Sequence, residues 1–125
     1  MYANAAVKSA YATTSCSGGT PVNKEYAIIE RVTTDLVRAD RNKSENYSAF
    51  VDAITRNRKM WRLFGVDVAE PDNTLPKKLK AQIFYLSEFT DIHSREVLKG
   101  NETIEILVEI NEMILLGLAS EGTEP

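Results

Sequence analysis

The sequence predicts an all-α fold: a small single-domain bundle of about four main helices, with a mobile or short-helical N-terminal segment. Three observations carry this. Four segments place apolar residues at the 3.6-residue spacing of an amphipathic helix. The segments are separated by short stretches of turn-forming or charged residues, as antiparallel helices require. No segment alternates with period two, and no hairpin dipeptide sits between β-rich runs. A chain of 125 residues with 43% hydrophobic residues suits one core of this size.

Residues 1–19 are rich in Ala, Ser, Thr and Gly and end in Ser17-Gly18-Gly19. They carry too little apolar area to fold alone, so they are assigned to a flexible segment. The helical domain is assigned to residues 20–119. Thr20 and Pro21 form a suitable cap and first position for a helix. Ile28, Ile29, Val32 and Leu36 form its stripe, and the charged run Arg38 to Lys43 ends it. Ser44 is the candidate cap of a second helix, with Glu45 in its first turn. That helix carries Tyr47, Phe50, Val51, Ile54, Trp61, Phe64 and Val68, and Glu70-Pro71 stops it.

Pro71 to Thr74 is turn composition. Asn73 or Thr74 is the expected cap of a third helix, with Pro76 in its first turn and Leu79, Ile83, Leu86, Thr90 and Val97 on its stripe. Gly100 is the expected left-handed stop. Asn101 is the expected cap of a fourth helix, whose face holds Ile104, Leu107, Val108, Asn111, Leu115 and Leu118. Gly117 is a weak point near its end, and residues 120–125 are assigned to a frayed tail.

Composition narrows the chemistry. A net charge of −3 argues against a protein that coats nucleic acid. The single cysteine, Cys16, excludes an internal disulfide and a Cys-based zinc cage, and points to a reducing compartment. No apolar run approaches the ~20 residues that cross a bilayer, and the first residues lack a secretory apolar centre. The expected location is cytoplasmic, without membrane insertion. His93 is the only histidine, and its place on the shoulder of the third stripe reads as structural. Asp67, Asp72 and Asp91 assemble no acid–base pair at helical spacing. No enzyme, cofactor or metal site is expected.

Two surface features remain. Seven of the fifteen bases (Arg56, Arg58, Lys59, Arg62, Lys77, Lys78 and Lys80) cluster around the turn between helices two and three. Arg58, Arg62, Lys77 and Lys78 are the candidate contacts of an RNA reading, against the plainer reading of a solvated face. From Ile104 onward there are five glutamates and no base. Several apolar residues also fall off the stripes: Met60 and Leu63 on helix two, Phe84, Tyr85 and Ile92 on helix three, and Ile106, Ile110 and Met113 on helix four. Either bundle packing absorbs them, with helix four as the central element, or they line a groove for a partner helix. The last six are the candidate partner-binding residues.

The run Asn57-Arg58-Lys59-Met60-Trp61, then Asp67, then Asp72-Asn73-Thr74-Leu75-Pro76, resembles the FlaF flagellar regulator family of alphaproteobacteria. The likeness continues through Leu79-Lys80-Ala81-Gln82-Ile83 and Ile110-Asn111-Glu112-Met113-Ile114 to Gly117-Leu118, over roughly residues 20–119. No one of these pieces is specific alone; their order and spacing are. Asn57, Trp61, Phe64, Asp67, Asn73, Leu75, Pro76 and Asn111 are its structural signature here, read as scaffold. The resemblance implies a cytoplasmic, non-enzymatic protein needed for flagellin production and export. Such a protein binds flagellin as a secretion chaperone and works with the regulator FlbT. The alternative it implies is a translational regulator of flagellin mRNA, acting directly or through FlbT without binding flagellin. Direct nucleic-acid binding is the less expected of the two.

Overall fold

A computed structural model describes the backbone of residues 21–123 and the side chains of residues 25–117. The expected flexible segment 1–19 and the Thr20 cap lie outside the described residues. Among the described residues four helices follow one another: α1 (Pro21–Arg41), α2 (Tyr47–Val68), α3 (Lys77–Leu98) and α4 (Glu105–Thr123). The described residues hold no strand. The fold is the all-α bundle that the 3.6-residue spacing predicts. The helical backbone of α4 continues past Ser120 to Thr123.

The starts of three helices differ from expectation by two or three residues, each for a local reason. Asn46, not Ser44, caps α2, its Oδ1 accepting from the Ala49 amide at 3.1 Å. Residues 42–45 are taken up by a turn. Pro76 is not inside the first turn of α3 but occupies the cap position, with extended backbone (φ −56°, ψ 143°) and no side-chain cap. Asn73 instead closes a turn, accepting from the Leu75 amide at 3.0 Å and donating to the Asp67 carbonyl at 3.3 Å. Asn101 does not cap α4; its amide donates to Glu96 Oε1 at 3.0 Å, and the Thr103 hydroxyl accepts from the Glu105 amide at 3.4 Å. That Asn101 bond, with Lys99 beside it, holds the Glu96 carboxyl below its ordinary range. Gly100 is the left-handed stop, at φ +86°.

Consecutive helices run in opposite directions, so that the start of one lies beside the end of the next. The core divides into two apolar clusters, one at each end of the bundle. One joins Ile29, Met60, Trp61, Phe64, Val68, Leu75, Ile83, Leu86, Ile110 and Ile114. The other joins Leu36, Phe50, Ala53, Ile54, Val97, Ile104 and Leu107. Near the boundary between them each helix supplies a buried polar residue: Thr33 from α1, Asn57 from α2, Thr90 and Ser94 from α3, and, one residue inside the first cluster, Asn111 from α4.

Asn111 is the centre of this layer. Its Oδ1 accepts from Trp61 Nε1 at 2.8 Å. Its Nδ2 donates to Asn57 Oδ1 at 2.8 Å and to Thr33 Oγ1 at 3.0 Å, and Thr33 donates on to the Ile29 carbonyl at 2.7 Å. One amide thus ties three helices together. Asn57 Nδ2 and Ser94 Oγ are the buried atoms of the layer that lack a hydrogen-bond partner. A buried amide pairs only when the helices are in register, which makes this layer a device against sliding.

The middle of the bundle is the α1–α2 pair, not α4: α3 packs on α2, α2 on α1 and α1 on α4, whereas α4 meets α3 only along a narrow seam. This corrects the expectation of a central fourth helix. It also explains why Met60, which falls off the α2 stripe, is buried: a middle helix buries a wider face. Ile28 and Tyr47, expected on core stripes, are exposed.

Candidate partner-binding groove

The α2–α3 pair is held unusually close at one level. An added Cβ on Gly65 would sit 2.4 Å from Ser87 Oγ and 2.9 Å from Ser87 Cβ, inside any real contact distance. The small residues on both sides are therefore what lets the two helices meet there. Above that meeting point a shallow groove runs along the surface. Toward the α2 C-terminus it is lined by Val66, Ala69, Glu70 and Phe84. Toward the α2 N-terminus it is lined by Arg58, Asp91, Ile92 and Arg95. Arg62, Ser87 and Glu88 border both parts and make them continuous.

The two ends differ in chemistry. Val66 and Phe84 are each about half exposed, at 50% and 46%. They give one end an apolar wall. At the other end Asp91 is surrounded by arginines. Arg58 grips one carboxylate oxygen with both Nε (3.2 Å) and a terminal nitrogen (2.8 Å). Arg62 approaches the same oxygen at 3.6 Å, and Arg95, one helical turn along α3, pairs with the other. The Arg58 hydrogen bonds hold the Asp91 carboxyl below the usual carboxylate range; partial burial opposes this, and Arg95 reinforces it.

The six candidate partner-binding residues do not form one surface. Phe84 and Ile92 line the groove. Tyr85 is exposed on α3 but outside the lining, and Met113 is exposed on α4. Ile106 is half-buried against the first core cluster. Ile110 is a correction: at 4% exposure it belongs to that core cluster, because the buried face of α4 is rotated toward Ile110 and Ile114. A partner cannot reach it in this fold. Sequence reasoning missed Val66, Gly65, Ser87 and the Asp91 centre. A readable signal existed in the Arg58/Arg62 and Asp91/Arg95 pairs, each spaced four apart.

Of the candidate RNA contacts, Arg58 is engaged with Asp91 and only 23% of its side chain is exposed. Arg62, Lys77 and Lys78 are exposed. Of the signature residues, Asn57, Trp61, Phe64, Asp67, Asn73, Leu75 and Asn111 are buried, and Pro76 is exposed at the α3 cap. Trp61 also meets Phe64 edge to face, with ring centroids 5.5 Å apart. His93 bonds the Thr103 carbonyl through Nε2 at 2.9 Å and stacks on Phe89, tying the end of α3 to the loop before α4.

Among the described residues no helix is long and apolar enough to cross a membrane, and no three metal-ligating side chains cluster. No curated protein and no solved structure matches the chain. One family model does: that of the flagellar protein FlaF, over residues 7–118.

Proposed function

The chain belongs to the FlaF family of flagellar proteins, and from that premise we propose that it binds flagellin in the cytoplasm as an export chaperone. It acts by binding and not by catalysis, and it promotes flagellin synthesis and secretion together with FlbT. The observation that supports this reading is the groove over the Gly65–Ser87 contact, with Val66, Phe84 and Ile92 exposed along it. The terminal segments of a flagellin are amphipathic helices whose apolar stripes stand open before assembly. A helix laid in this groove would cover such a stripe. Covering ~500 Å² of apolar surface offers on the order of 10 kcal/mol before ordering costs, enough for useful affinity.

The experiment is co-purification of the full chain with flagellin, repeated with Val66→Ser, Phe84→Ser and Ile92→Ser combined. The triple variant should lose flagellin while its far-UV circular dichroism stays helical. Equal retention by the variant removes the groove from the reading. Failure of the unaltered protein to retain flagellin removes the chaperone role itself.

The other reading, regulation of flagellin mRNA without binding flagellin, rests on exposed Arg62, Lys77 and Lys78. It is weakened because Arg58 is already taken by Asp91. A shift of flagellin leader RNA at low salt, lost in Lys77→Gln/Lys78→Gln, would favour it.

A further inference from the structure

We propose that the α2–α3 groove selects an acidic amphipathic helix, whose apolar residue seats against Val66 and Phe84 and whose carboxylate is held by Arg62 and Arg95. This rests on the chaperone reading and specifies the partner segment which that reading leaves open. It starts from an imbalance of charge. Three guanidinium groups surround the single carboxylate of Asp91. Arg58 spends its Nε and one terminal nitrogen on one Asp91 oxygen and is largely covered. Arg62 and Arg95 are different: their side chains are 64% and 58% exposed. Arg62 stands 3.6 Å from its Asp91 oxygen, too far for a good hydrogen bond. A guanidinium carries five N–H donors, so donors exceed acceptors here. Glu88, the only other acid lining this end among the described residues, still leaves a surplus positive charge.

The surplus lies in line with the apolar end of the same groove. Asp91 is seven residues beyond Phe84 on α3, about 10 Å along the helix axis at 1.5 Å per residue. The complementary helix therefore carries an apolar residue and, two turns away on the same face, an Asp or Glu. Apolar contact supplies most of the affinity; the carboxylate fixes position and direction and rejects a helix with a base there. Arg58 and Asp91 act as the fixed support from which Arg62 and Arg95 reach outward.

The test has two arms, both on the full chain. In the first, calorimetry with flagellin compares the unaltered protein with Arg62→Gln/Arg95→Gln at low and high salt. The double variant should bind roughly five- to tenfold more weakly at low salt, with the difference shrinking at high salt. Unchanged affinity would overturn the carboxylate clamp while leaving the chaperone reading standing. Absence of any flagellin binding would sink that reading, and the second arm then decides the clamp alone. It uses two designed 20-residue amphipathic peptides, identical except for Glu or Lys seven residues from a central Leu. The Glu peptide should bind at least tenfold tighter, and the preference should vanish in Arg62→Gln/Arg95→Gln. Equal binding, or binding of neither peptide, overturns the proposal. A second copy of this chain is a competing occupant, because Met113 and Leu116 on α4 are exposed beside Glu109 and Glu112. Self-association on a sizing column that the double variant abolishes would assign the groove to that copy and overturn partner selection.

Discussion

Asn111 and Asp91 are both points where several side chains converge on one residue, yet they sit in opposite surroundings. Asn111 is fully buried, and its three hydrogen bonds join α1, α2 and α4. Asp91 lies at the surface between α2 and α3, with more donors around it than it can accept. In the core a mismatch of donors and acceptors costs stability, so the amide is placed where one carbonyl and one NH2 meet complementary atoms. At the surface water makes the same mismatch tolerable, and the surplus remains available to a partner. The first centre holds the register of the bundle. The second is suited to recognition because it is not saturated.

The largest effect expected from breaking this contrast comes from Asn111→Leu. It removes three hydrogen bonds and strands Trp61 Nε1 and Asn57 Oδ1 in the core. Each orphaned buried group costs about 1–3 kcal/mol, so unfolding in urea should show a loss of about 3–4 kcal/mol. A loss below about 1 kcal/mol would mean that the polar layer is not what couples the helices. The loss should also be nearly independent of salt, because no charge is involved.

The helices and their stripes were legible because burial at 3.6-residue spacing is a local property. Ile29, Leu36, Phe50, Ile83 and Leu107 fall where periodicity places them. Cap identity was less legible: Ser44 and Asn101 are good capping types, but the path of each loop decides which residue stands at the helix start. Ile110 shows a further limit. It is left off the stripe drawn through Leu107, Val108 and Asn111, although with Leu107, Asn111 and Ile114 it completes an i, i+3, i+4, i+7 face that the packing of α4 on α1 buries. The groove was half legible. Phe84 and Ile92 were visible as surplus apolar residues. The Asp91 centre was signalled only by its two same-helix pairs, because Arg58 and Asp91 are 33 residues apart and meet only when α2 and α3 pair.

Gly65→Ala probes the contact that brings those two helices together. The new methyl would overlap Ser87, so α2 and α3 must separate or bend, at about 1–3 kcal/mol. Pairing it with Ser87→Gly removes the obstructing Cβ. A thermal-melt double-mutant cycle should then show coupling above about 0.5 kcal/mol. Additive losses would place the strain elsewhere. If the groove is the binding surface, Gly65→Ala should also weaken flagellin retention more than a change of equal stability cost at Asn46. Asn46→Ala is a suitable control: it removes the α2 cap far from the groove and costs about 1 kcal/mol.

The smallest effect, and the most specific, is that of pH on Asp91. Its carboxyl titrates below the ordinary range in the folded chain, because Arg58 and then Arg95 favour the charged form. A carboxylate with a depressed folded pKa adds stability above its unfolded pKa of about 3.9, and loses it as pH falls through the lower folded value. At neutral pH, Asp91→Asn should cost about 1 kcal/mol or less, since the pairs are partly solvated and Arg62 and Arg95 are more than half exposed. As pH falls below about 4 the difference should shrink, and the variant and the unaltered protein should converge only below the lowered folded value, where protonation removes the same charge. High salt should shrink the neutral-pH difference as well, which separates this centre from Asn111. A pH-independent difference would mean that Asp91 acts through packing and not through charge. The arginines would then hold the helices together by their stems, and the unsaturated surface would lose its physical basis.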